Sequence, residues 1–549
     1  MLLQAVPMLF VPSAGWAEAA AEPLACEVAV REGRLRGARR AGVDAFRGVP
    51  YAGGVSGKNR FLRAKPAAPW KGVRDALKLG PGSVQPDITS WALDEPPASE
   101  ECLVLNVWAP TARRDLPVMF YCHGGGISIG SGGSIYADGT NLARSGEVVV
   151  VTVNHRLGLL GFLDLEALGG EAYAGSANRG LEDLTLALAW VRENIAAFGG
   201  NPDNITLFGE SGGAVKVSCL VSMPSLAPAF ARASIESGPT LDILSKAQTA
   251  SNTERLLAHL GLGRDNWRAL LAMPAKQIIA AQNWLATVSP DADYGGQRGI
   301  ASAAFGGLGP SVDGRLIPDP PFSPPVLTLI EGKPLIVGGT RDEEEQFAIE
   351  RDDLAAFRLD EACLAKRLRV HVGDSAPALI AACRRDRPNA SPSEVFIAVR
   401  SALFSGLGTR EIAERRARTA SAATYVYEVD YKVGGVIPGT DFPVGAPHAL
   451  DLPLKFGNVD PPPISMGLSP IAGIRPERVA AARAMCGYWS SFAHAGVPSA
   501  AAQPDWPRYG ERNRPTMRID SRCLVISDPD PAQRHFWDQH PDLPLSAAG

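Results

Sequence analysis

None of the eight cysteines, at positions 26, 102, 122, 219, 363, 383, 486 and 523, forms a C-x-x-C pair, so the spacing of zinc sites and redox dithiols is missing. Positive charge is not in surplus. Fifty-four Lys and Arg against 58 Asp and Glu leave a net charge of −4, which removes the electrostatic footprint of nucleic-acid or anionic-membrane binding. Beyond the N-terminal segment no apolar run approaches the ~20 residues of a membrane span. From about residue 26 onward there is no repeat and no low-complexity linker. What is there is a chain of 549 residues, 46% hydrophobic and 20% charged, which is the composition of a globular protein with a large core.

The N-terminus reads MLLQAVPMLFVPSAGWAEAAAEP. Its apolar run from Met1 to Trp16, followed by Ala17-Glu18-Ala19, has the form of a secretory leader without the usual charged start. The expectation is a leader over residues 1–25, a single domain over 26–549, and a secreted or periplasmic protein. If Pro7 and Pro12 instead mark an ordinary tail, the protein stays in the cytoplasm. Cys363 and Cys383 are candidates for a disulfide in an exported chain, although spacing alone does not establish the pair.

Strand-like and helix-like segments alternate. Leu116–Cys122 and Val148–Val153 read as buried parallel strands. Leu181, Leu184, Leu188, Val191, Ile195 and Phe198 recur at spacings of three and four, the apolar face of a helix, and Gly199-Gly200 stops it. Ile205–Phe208 is a short strand, Gly209–Gly213 a turn, and Ala214–Val221 a helix. Leu335–Val337 and Ala423–Val429 read as further strands of one sheet. The segments near 240–330 and 350–420 read as mainly helical excursions from it. This order implies βαβ units and an α/β fold with a large, mostly parallel central sheet.

The pattern G-x-S-x-G occurs twice, around Ser128 and around Ser211, and roughly 0.3 chance matches are expected in so glycine-rich a chain. Context separates the two. Ser211 follows a strand and precedes a helix, the setting of an exposed nucleophile on a sharp turn. Ser128 sits among glycines that cannot start a helix. A serine nucleophile needs a base, which in this fold class follows an acid in chain order. Six histidines follow Ser211, and His448 lies in a loop of small residues, Gly445-Ala-Pro-His448. For the acid, the run Asp342-Glu343-Glu344-Glu345 offers four carboxylates. Such a run reads more readily as a solvated loop, and spacing does not choose among its members.

Several ordered motifs carry a resemblance. Phe46-Arg-Gly-Val-Pro50-Tyr51-Ala52, Ser99-Glu-Glu-Cys102-Leu-Val-Leu-Asn106-Val-Trp108, Asn154-His-Arg156-Leu-Gly158, Phe198-Gly-Gly-Asn-Pro202 and Tyr488-Trp489-Ser-Ser-Phe492 are similar to those of the type-B carboxylesterases. These belong to the α/β-hydrolase group. The match runs from about residue 26 to 540. It implies Ser211 as nucleophile, Glu343 as acid and His448 as base, with Gly125, Gly126 and the amide of Gly212 as the oxyanion hole. It implies hydrolysis of a small to medium organic ester with water, through an acyl-enzyme and with neither metal nor cofactor. A non-catalytic binding relative, a lipase and an amidase are the alternatives. Arg60–Glu100 and Arg156–Asp183 are implied as structural ion pairs.

Three departures stand out. Gly212 replaces the family's alanine, so Gly212→Ala is expected to be harmless. Glu344 replaces a glycine after the acid. Ser83 stands where the disulfide partner of Cys102 would be, which frees a loop that carries Trp91. Trp267, Trp284, Phe305 and Phe322 are candidates for the substrate pocket.

Overall fold

The computed structural model describes residues 24–86, 96–288, 307–459 and 475–543. The expected leader up to residue 23, Trp91 and Phe305 lie outside the described residues. Two hydrophobic cores sandwich one twisted sheet. Along Leu116–Cys122, Val118, Phe120 and Cys122 enter one core while Met119 and Tyr121 enter the other. A strand apolar on both faces belongs between two layers of helices, which is why its sequence does not alternate with polar residues.

The sheet runs in the order Leu24–Val30, Gly33–Arg40, Val43–Pro50, Val104–Pro110, Val149–Val153, Leu116–Cys122, Gly200–Glu210, Arg232–Glu236, Leu335–Thr340, Thr424–Val429, Pro515–Ile519, Leu524–Ser527. It is antiparallel at both edges and parallel from Val149–Val153 through Pro515–Ile519. From Leu116–Cys122 the chain crosses to Val149–Val153 on one side and then to Gly200–Glu210 on the other. That reversal is a topological switch point, and the crevice lies at the carboxyl ends of the strands beside it. Here those ends lead into His123-Gly124-Gly125-Gly126 and into Ser211.

The expected elements form with small shifts. The helix Arg179–Asn194 buries Leu181, Leu184, Leu188 and Val191, but Ile195 and Phe198 fall in a tighter 3₁₀ turn that ends at Gly199, with φ 88°. The strand before Ser211 begins at Gly200, earlier than its apolar residues suggest, because it pairs with Leu116 there. The excursions are mainly helical, as expected.

The implied ion pairs are both present: Arg60–Glu100 at 2.5 Å, and the buried Arg156–Asp183 at 2.6 Å. Arg156 also donates to the Leu62 carbonyl, so the pair ties the start of the chain to the helical layer. Cys102 is buried and free, and Ser83 Oγ accepts the Leu157 N–H at 3.2 Å. Cys363 is exposed and Cys383 buried, and they form no disulfide. Among the described residues no helix is long and apolar enough to cross a membrane.

Candidate active site

Ser211 has φ 58° and ψ −124°, a conformation that costs a non-glycine residue on the order of 1–3 kcal/mol. Three contacts hold it there. Its N–H donates to the Glu236 carbonyl at 2.8 Å, and its own carbonyl accepts from Ala214 and Val215, which starts the helix Gly212–Leu220. The turn is tight enough that a Cβ at Gly209 would lie 2.6 Å from the Gly213 carbonyl, and one at Gly213 would overlap the Cys122 carbonyl. The glycines two residues either side of the serine are therefore steric necessities. Ser128, by contrast, lies in a turn closed onto the Gly125 carbonyl.

His448 is buried, and its Nδ1 lies 2.5 Å from Glu343 Oε2. The other Glu343 oxygen accepts the Thr340 N–H at 2.9 Å. The run Asp342–Glu345 is thus no solvated loop. All four carboxylates are buried, and each has a task. Asp342 accepts the Ala446 N–H and the Lys432 ammonium, and Glu345 accepts the Gly445 N–H, so these two fix the backbone that delivers His448. Glu344 pairs with Arg351 and Arg400. The other histidines after Ser211 serve elsewhere; His259, for one, stacks on Trp284 at 3.8 Å.

Among the described residues His448 Nε2 has no hydrogen-bond partner, and it lies 3.4 Å from Oε1 of Glu210, the residue before the serine. Burial alone would lower the imidazole, but the carboxylates of Glu210 and Glu343 outweigh it and push it up to about 9. Burial raises Glu210 to about 8, against the pull of His448. The two groups therefore compete for one proton. Phe347 and Phe404 pack against the imidazole, with ring centroids at 4.7 and 5.1 Å. Trp267 and Phe322 are fully buried in the hydrophobic core. Glu210, Phe347 and Phe404 were not singled out in the sequence. The only signal available for Glu210 was a carboxylate inside the serine motif.

The loop His123–Gly126 lies against the serine turn. Gly125 and Gly126 have φ 82° and 60°, and a Cβ on Gly124 would lie 3.4 Å from the Ser211 Cβ. Among the described residues, the amides of Gly125 and Gly126 donate to no backbone carbonyl or side chain. The Gly212 N–H, first in its helix, has no partner within that helix. Lys216 is wholly buried in the same helix and donates to the His123 carbonyl at 2.8 Å. Burial lowers its ammonium to about 7, against the opposing pull of Cys122.

A strained serine at the switch point of a parallel sheet, with a buried histidine and glutamate behind it, defines an α/β-hydrolase. Residues 25–537 match the model of the carboxylesterase family, to which this chain belongs. It is 33% identical to the para-nitrobenzyl esterase of Bacillus subtilis, over 92% of this chain and 97% of that one. It is 34% identical to the phenmedipham hydrolase of Pseudarthrobacter oxydans, over 90% and 93%. The solved carboxylesterase EST55 of Geobacillus stearothermophilus superposes with a TM-score of 0.78 at 35% identity, covering 93% of this chain and 99% of that one. The protein is an ester-hydrolysing enzyme.

The expectation that Gly212→Ala is harmless does not survive the structure. A methyl group at Gly212 would overlap the backbone of Gly126, and backbone gives way far less readily than a flexible side chain. With Gly212→Ala the glycine loop must move, and kcat is expected to fall by up to roughly 10²-fold, the loss that a misplacement of about 1 Å can cause. Steady-state kinetics on p-nitrophenyl acetate checks this.

Lys216 gives a second test. Between about pH 7 and the ordinary lysine value of about 10.4, the unfolded chain holds a proton that the folded chain lacks. This group therefore adds stability as pH rises through that window, and its penalty is full below it. Lys216→Met is expected to raise the thermal midpoint more at about pH 6.5 than at about pH 9.5. Equal shifts at both values would contradict a depressed ammonium.

Proposed function

We propose that the enzyme hydrolyses small to medium organic esters through a covalent acyl-enzyme, with Ser211 as nucleophile, His448 as base and Glu343 as acid. The observation that carries this reading is the 2.5 Å contact between buried His448 Nδ1 and Glu343, with His448 Nε2 3.4 Å from Glu210, the residue before a serine held at positive φ. Such an arrangement fixes the imidazole tautomer and leaves Nε2 as the proton acceptor.

Ser211 Oγ attacks the ester carbonyl carbon while His448 Nε2 takes the hydroxyl proton. Glu343 stabilises the resulting imidazolium. Negative charge develops on the carbonyl oxygen, where the N–H groups of Gly125, Gly126 and Gly212 are the donors; each is worth about 3 kcal/mol in the transition state. The tetrahedral species collapses, the C–O bond to the alcohol breaks, and His448 gives its proton to the departing oxygen. Water, deprotonated by His448, then attacks the acyl-serine and releases the carboxylic acid. The name of the Bacillus subtilis relative speaks of a para-nitrobenzyl ester, and the Phe347 and Phe404 rings beside His448 suit an apolar group there.

Ser211→Ala is expected to abolish hydrolysis and to abolish labelling by a fluorophosphonate probe, which reacts only with an activated serine. A labelled wild type excludes the non-catalytic alternative. Comparing anilides with matched esters tests an amidase, and a rate jump at the solubility limit tests a lipase.

The pH dependence follows from the raised imidazole. The base must be neutral, so activity is lost as pH falls through the His448 value. The acid limb of kcat/KM is expected well above the ordinary histidine value of about 6.5, toward 9. Glu210→Gln removes the largest charge that holds the proton on, so the midpoint should drop by about a unit or more. An unmoved midpoint would mean Glu210 does not govern His448.

A further inference from the structure

Glu236 ends the strand Arg232–Glu236, and Lys455 lies in the helix Asp451–Phe456 that follows His448 in the chain. Both side chains are wholly buried, and the Lys455 ammonium donates to Glu236 Oε2. The other oxygen, Oε1, accepts from Trp489 Nε1 at 2.7 Å and from Ser234 Oγ at 2.6 Å. The ammonium also sits 5.7 Å from the Phe208 ring centre and 6.0 Å from that of Trp489. Both carboxylate oxygens are satisfied, which is the condition under which a buried pair is tolerable at all.

Its place in the fold gives it a consequence. Glu236 is the residue whose backbone carbonyl receives the Ser211 N–H, so it pins the strained serine. Lys455 belongs to the segment that carries His448. The ion pair therefore joins the element holding the nucleophile to the element holding the base. The charges around it are lopsided. Glu210, Glu236 and Glu343 are buried there, with Asp451, which accepts the Tyr427 hydroxyl, and Glu350 also faces His448. Tyr121 feels the same carboxylates. Against them Lys455 supplies a positive charge felt by Glu210, Glu236 and Asp451 alike.

We infer that Glu236 and Lys455 form a positioning pair for the ester hydrolysis: they bolt the Ser211 turn to the His448 segment and offset the buried carboxylates beneath the base. The inference rests on the proposed roles of Ser211 and His448.

Two variants of the full chain test it. In Glu236→Gln the amide oxygen still accepts from Trp489 and Ser234, while its NH2 turns toward Lys455, so a negative charge and one acceptor are lost together. It is expected to fold, to lose three- to tenfold in kcat with KM within twofold, and to shift the acid limb of kcat/KM to lower pH. Lys455→Met with Glu236→Gln removes both charges of the pair together. It is expected to lose at least tenfold in kcat and in the fluorophosphonate labelling rate. A purely structural pair would change thermal stability while leaving kcat and the pH midpoint alone. If the wild type is labelled and either variant reacts at the wild-type rate with an unmoved midpoint, the positioning role is wrong. If the wild type itself is not labelled, the failure lies with the proposed nucleophile.

Discussion

The hydrogen bond from the Ser211 amide to the Glu236 carbonyl, 2.8 Å long, is the constraint around which the site is arranged. It holds a serine where a serine would rather not be, at φ 58°. One end of the bond directly follows the strand Gly200–Glu210 and the other belongs to its parallel neighbour, Arg232–Glu236. The strain is therefore borne by the ladder of the central sheet and not by a loop. A strained residue persists when its surroundings over-determine it. Here the ladder, the helix that begins at Gly212 and the glycines at 209 and 213 all require the same turn.

The second constraint is electrostatic. Burying a carboxylate without a partner is costly, and the usual escape is to take up a proton. The carboxylates near His448 divide between two ways of avoiding that cost. Asp342 and Glu345 accept backbone N–H groups, and Glu344 and Glu236 face cations. Among the described residues Glu210 has neither kind of partner; its Oε1 is unbonded, and the imidazole lies 3.4 Å from it. The raised His448 imidazole is thus a consequence of a carboxylate left incompletely satisfied. Such exceptions concentrate where chemistry is done.

Much of this was legible in the sequence, for reasons that differ from element to element. The central strands were readable because burial on both faces leaves them almost wholly apolar, as in Val149–Val153, where Thr152 alone is polar. Ser211 was readable because the turn that strains it demands glycine at fixed offsets. His448 and Glu343 were not readable from spacing, since they meet across 105 positions of chain; the family resemblance alone pointed to them. The carboxylate run misled because charge in a row is usually solvated, and nothing local in Asp342–Glu345 reveals that a distant backbone, at Gly445 and Ala446, needs its oxygens. Lys216, Lys455 and Glu236 went unnoticed for the same reason. A buried ion looks like a surface one until its partner is known. The error at Gly212 was of another kind. Sequence comparison treated the missing methyl as a loss at one residue, whereas the space it leaves is filled by Gly126.

Gly212 and Lys216 are four residues apart, so they lie on one face of the helix that starts at the serine. Both act on the same loop from that face. The first, by having no side chain, lets the backbone of Gly126 come down onto the turn; the second reaches past it to the carbonyl of His123. The glycine loop has four residues with few side chains of its own to hold it, and a flexible loop is a poor way to aim two N–H groups at an oxygen. Anchoring it at both ends to the helix that begins after Ser211 makes the spacing between that serine and the Gly125 and Gly126 amides a property of helix geometry. Preorganised donors stabilise a transition state because they need not move when charge appears. On that argument Gly212 is the complement of the buried lysine: removing the methyl brings the loop close, and the ammonium keeps it there.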